Sequence, residues 1–212
     1  MPWYHGTPDI RPLRTGGFTS RTEPVRCVRD RAALAAARAH ANEEGISALE
    51  GHRRLTALEA QFEFVPVPVP VFLSRTSGTA QSYANDQRAL DYQGAEPAVL
   101  EIEQVPEVEL TIDAGGETFR GLSWDRVATG VRDAGGDPEA LARTLEDRLE
   151  VSISGRIRVS KLGAALHLSG YRVVDVVNVV DTHDGRGRPD TVRMVFEPEG
   201  LRIRGAEPFP EP

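Results

Sequence analysis

Trp3-Tyr4-His5-Gly6-Thr7 is the stretch on which the reading of this chain turns. Residues 2–6 read as a short first strand, and its end brings an imidazole, a glycine and a hydroxyl together. These groups can bind a nucleotide as one compact unit. An imidazole hydrogen-bonds a ribose hydroxyl, and a threonine hydroxyl donates or accepts. Glycine has no Cβ, so a ligand can approach its backbone closely. The same residues also suit an ordinary turn, so a second segment has to decide between the two readings.

That segment is Val71-Phe72-Leu73-Ser74-Arg75-Thr76-Ser77-Gly78-Thr79-Ala80-Gln81-Ser82-Tyr83-Ala84. An apolar strand ends in a polar, glycine-containing turn. A helix over 79–90 follows, with Ala80, Tyr83 and Ala84 on one face at i, i+3, i+4 spacing. Together the two segments resemble the ADP-ribosyltransferase superfamily. His5-Gly6-Thr7 looks like its His-Gly-Thr/Ser strand. Phe72-x-Ser74 with Thr79-Ala80-x-x-Tyr83 looks like its second strand and the helix after it. The spacing is similar both to the bacterial rifampicin-modifying members and to the diphtheria-toxin and PARP-like branch.

The resemblance implies an α+β fold of two small antiparallel sheets around a cleft, with helices outside. It implies NAD as substrate, with Tyr4, His5, Gly6, Thr7, Phe72, Ser74 and Tyr83 as its binding residues. His5 would fix a ribose hydroxyl, and the Gly6 backbone would orient the carboxamide. Phe72, or Val71 in the PARP register, supplies the aromatic position; Phe72 and Tyr83 would wall the nicotinamide, and Ser74 could position it. His5, Phe72 and an acid would carry catalysis. For the acid, Asp190-Thr191-Val192-Arg193-Met194-Val195-Phe196-Glu197-Pro198 looks like the family's last strand. Its alignment puts Val192 where PARP-like members carry the catalytic Glu. Asp190 stands two positions earlier, and a shift of two keeps a side chain on the same strand face. Asp190 is therefore the candidate acid.

The expected activity is NAD-dependent mono-ADP-ribosyl transfer to an unknown acceptor: protein, nucleic acid or small molecule. Two alternatives stay open. Val192 at the Glu position suits a degenerate module that binds NAD or ADP-ribose without transfer. Arg75 and Arg193 would suit an enzyme acting on RNA ends, like the phosphotransferase branch.

Composition bounds these readings. A chain of 212 residues suits one domain, expected over 1–204, with a flexible tail over 205–212. A net charge of −7 argues against a general nucleic-acid-binding surface. One cysteine, Cys27, cannot form an internal disulfide or a cysteine metal site. His5, His40, His52, His167 and His183 are scattered without ligand spacing, so no metal is expected. No apolar run is long enough for a membrane span. No basic-then-apolar segment opens the chain, which suits a cytoplasmic protein or an effector delivered without a cleaved signal.

Residues 30–63 read as an inserted helical pair. Asp30 caps the Ala-rich Arg31–Arg38 stretch, Gly45 separates the helices, and Leu49, Leu55 and Leu58 mark the second. The insertion either packs on the sheet or forms a lid or target-binding arm. Val65-Pro66-Val67-Pro68-Val69-Pro70 must be extended or an edge, because alternate residues cannot donate to a ladder. Strands are expected over 98–103, 108–112, 171–180 and 192–196. Asp137-Pro138-Glu139 starts a helix.

Overall fold

The computed structural model describes residues 2–41, 48–88, 96–180 and 188–208. Gly45, Leu90, Gly94 and His183 lie outside these residues. The chain is mixed α+β. Trp3–Thr7 forms β1, Arg11–Gly16 α1, Thr22–Val28 β2, Arg31–Ala41 α2 and Ala48–Glu59 α3. Phe62–Pro68 forms β3, Val71–Ser74 β4, Ser77–Arg88 α4, Ala98–Gln104 β5 and Leu110–Asp113 β6. Then come Gly121–Ser123 (β7), Trp124–Asp133 (α5), Pro138–Arg143 (α6), Arg156–Arg158 (β8) and Val159–Leu168 (α7). Val173–Val180 (β9), Pro189–Val195 (β10) and Arg202–Pro208 (β11) complete the described chain.

Seven strands form one sheet in the order β11-β5-β1-β4-β10-β9-β6, and β2–β3 and β7–β8 form two-stranded ribbons. The main sheet is antiparallel except where β6 runs parallel to β9. β1 pairs with β5 from Trp3 to Thr7, and β4 pairs with β10 along its length. Between these halves the register has a single pair, Tyr4 opposite Ser74. The expectation of two small sheets is thus corrected to one sheet that splits at its middle. The physical reason is α4, which follows β4 directly and wedges against β1. A Cβ built on Gly6 would stand 1.8 Å from the Ala80 carbonyl oxygen.

Strand alternation divides the core. Val192 and Met194 of β10 and the partly buried Phe72 face a cluster that includes Leu110, Ile112 and Phe196. Leu73 and Val195 face a second cluster with Trp3, Ile10, Phe18 and Leu100.

The expected insertion forms as two helices, carried between the strands of the β2–β3 ribbon. Asp30 Oδ1 accepts from the Ala33 amide at 3.0 Å, as its capping role requires. Leu34 of α2 and Leu58 of α3 cover Val28 and Phe62 on one face of the ribbon. Cys27 and Val67, on the other face, enter the main core. Pro24 sits opposite Pro66, which a two-stranded ribbon tolerates because both strands are edges. Asp137 Oδ1 accepts from the Glu139 amide at 2.9 Å at the start of α6. Residues 205–208, expected to be a loose tail, instead extend β11. Gly205 to Pro208 pair with Glu101 to Ala98, because the edge of β5 offers backbone partners whatever the side chains.

One ion pair ties the strands across the second cluster's face. Arg193 and Asp175, each 7% exposed, meet at 2.5 Å (Nε–Oδ1) and 2.7 Å (Nη2–Oδ2). Arg193 Nη1 also donates to the Pro106 carbonyl at 2.8 Å. Its guanidinium lies 4.4 Å from the centre of the Trp3 ring. Removing one partner strands a buried charge. Arg193→Met is expected to lower stability by about 3–5 kcal/mol in chemical denaturation, well beyond the effect of an exposed Arg202→Met control.

Candidate functional site

Where β1 and β4 part, a small cleft of about 60 Å³ opens. Tyr4, His5 and Gly6 line it from β1, and Phe72, Leu73 and Ser74 from β4. Ala80 and Tyr83 of α4 and Val192 of β10 complete the wall. That is well below the roughly 300–1,000 Å³ of small-molecule sites, so a bound dinucleotide has to widen the cleft or extend beyond it. Six of the seven residues expected to bind NAD therefore share one cavity; Thr7 does not.

His5 bridges the split. Its Nδ1 lies 2.9 Å from the Phe72 carbonyl oxygen. A carbonyl only accepts, so Nδ1 carries the proton, and Nε2 of the neutral ring holds a lone pair. The ring also packs edge-on against Phe18, with centroids 5.3 Å apart and planes at 74°. Burial pushes the imidazole pKa below its ordinary value of 6.5, and the Phe72 carbonyl works in the opposite direction. Near neutral pH, then, this position offers a hydrogen-bond acceptor.

Gly6 has a second reason to be glycine besides ligand approach. Its missing Cβ is what allows α4 to come so close. Thr7 stands outside the lining: its hydroxyl donates to the Asp9 carbonyl at 2.9 Å and accepts from the Asp9 amide at 3.3 Å. Ser74 is 3% exposed and donates to the Thr76 carbonyl at 2.9 Å. Toward the cleft its oxygen is therefore an acceptor. Phe72 is braced edge-on by Phe119 at 5.5 Å and 90°.

The expected acid is not in the lining. Asp190 is 8% exposed, and both its carboxylate oxygens are engaged within the fold. Oδ2 accepts from the Thr76 hydroxyl at 2.9 Å, and Oδ1 from the Thr191 amide at 2.7 Å. Thr76 in turn bonds the Thr79 hydroxyl at 2.8 Å, so Asp190 anchors the turn into α4. Between Asp190 and Val192 the β9–β10 register also shifts by a residue, with nearby Asn178 at φ 54°. Val192, two positions on, is the residue that reaches the cleft. The Thr76–Asp190 bond joins residues 114 apart, so no local pattern pointed to it.

Arg75 and Arg193, the cations of the RNA-end alternative, lie elsewhere. Arg75 stacks over Trp3 at 3.7 Å, and Arg193 is held by Asp175. Both line a separate, mixed-charge groove with Glu101, Glu103 and Arg204. Among the described residues no three His, Cys, Asp or Glu side chains group to hold a metal, and no helix is long and apolar enough to cross a membrane. No protein-family model matches the chain, and no curated protein matches it.

Two outcomes follow. Gly6→Ala forces β1 and α4 apart and is expected to cost about 3 kcal/mol in urea denaturation. The lowered pKa of His5 gives the second. As pH falls through 6.5 the unfolded chain takes up a proton that folded His5 resists. This contribution is fully present above that value and is lost as pH falls below it. Denaturation midpoints between neutral pH and about pH 5 should show a decline that His5→Gln makes shallower.

Proposed function

We propose that this chain is an NAD-dependent mono-ADP-ribosyltransferase, with the split between β1 and β4 as its dinucleotide site. One observation carries the reading: His5, Phe72, Ser74 and Tyr83, from the two segments that resemble the superfamily, line a single cleft. The reaction breaks the bond between ribose C1′ and the nicotinamide nitrogen. The bonding pair leaves with nicotinamide, an oxocarbenium-like sugar forms, and an acceptor nucleophile adds to C1′ and loses its proton. The cleft has to hold the leaving group, fix the ribose and favour the cationic sugar.

The side chains match the first two tasks. His5 Nε2, unprotonated, accepts from a ribose hydroxyl. The Gly6 backbone and the Ser74 oxygen meet the carboxamide, with Ser74 accepting from its NH₂. Phe72 and Tyr83 provide the aromatic wall, and Tyr4 closes the β1 side. Asp190 is the candidate for the third task, but it must exchange its Thr76 bond to act. Phe72→Ala should weaken NAD binding about tenfold, read by calorimetry. Asp190→Asn should cut nicotinamide release by orders of magnitude while NAD binding remains. Unchanged release would remove Asp190 from the chemistry.

A second reading is favoured by Val192, an apolar side chain in the cleft at the position of the family's Glu. On that reading the chain binds NAD or ADP-ribose without transfer. Purified protein that binds NAD but releases no nicotinamide, with or without cell extract, would decide for it.

A further inference from the structure

The His5 ring is gripped by two groups, and one of them lies outside the cleft. Phe18, 6% exposed, follows α1 through Gly17, whose φ of 65° suits glycine and turns the chain back over β1. Its ring meets His5 edge-on at 5.3 Å. The other grip is the Phe72 carbonyl, 2.9 Å from Nδ1. One hydrogen bond fixes one atom of an imidazole and leaves the plane free to turn about it. An edge-to-face neighbour restricts that turn. The opposite tautomer would aim a lone pair at the Phe72 oxygen, so plane and tautomer are set together.

We propose that Phe18 is a positioning residue of the cleft. By holding the plane of His5 it keeps the Nδ1 proton on the Phe72 carbonyl and leaves Nε2 as the acceptor for a ligand hydroxyl. The identity of that ligand rests on the NAD reading; the state of the ring does not. Phe18 reaches the ligand only through His5, and its α1–β2 loop contributes nothing to the lining of the cleft.

The test combines nitrogen-15 spectra of the ligand-free His5 ring with NAD titration, on the full chain. Phe18→Leu keeps an apolar side chain but removes the aromatic edge. It should give mixed His5 tautomers and bind NAD about tenfold more weakly. Phe18→Tyr, which restores the ring, should recover both. Phe18→Met repeats the measurement with a more adaptable side chain, should the leucine variant fold poorly. A single Nδ1–H tautomer retained in both aliphatic variants would overturn the proposal, because the Phe72 carbonyl would then suffice. Mixed tautomers together with no NAD binding by any form, including the natural chain, would uphold the role of Phe18 and sink the NAD reading alone.

Discussion

The close approach of α4 to β1 at Gly6 is the constraint on which the site depends. With the Ala80 carbonyl where a side chain would begin, helix and strand touch backbone to backbone. That contact lets β1 and β4 share only the Tyr4–Ser74 pair before they diverge. A full ladder there would close the sheet and leave no cleft. A side chain at position 6 would push the helix, and Tyr83 with it, away from Phe72. The glycine thus decides packing first and ligand access second.

The split leaves backbone groups that a continuous ladder would have paired, and the fold manages them with side chains. His5 satisfies the Phe72 carbonyl from across the gap. Ser74 turns inward to the Thr76 carbonyl, and Thr76 is bound in turn by Asp190. On the sheet's opposite face, Arg75 and Arg193 stack on Trp3, so β1 is held to the far half of the sheet without a ladder. These contacts explain why so many polar residues near the cleft have little freedom. Only groups with valences left over, notably His5 Nε2, remain for a ligand.

Much of this was legible in the sequence, for identifiable reasons. His5, Gly6, Phe72, Ser74 and Tyr83 were visible because each residue type performs a distinct task at a strand end or helix face. The helical pair was visible through the Asp30 cap and its alanine run, and the start of α6 through Asp137-Pro138. Other features depend on long-range geometry that carries no local signal. Nothing in the local sequence shows that Thr7 and Asp190 are hydrogen-bonded to Asp9 and Thr76. The pairing of 205–208 with β5 uses backbone groups alone, so the prolines and charges there disguised it. Phe18 carries no such signal either, because nothing in the spacing of residues 5 and 18 shows that their rings meet.

The most direct measurement is a crystal structure of the chain soaked with NAD. The account predicts nicotinamide between Phe72 and Tyr83, with a ribose hydroxyl within hydrogen-bond reach of His5 Nε2. NAD seated instead in the groove beside Arg75 and Arg204, with the space between β1 and β4 unfilled, would contradict it.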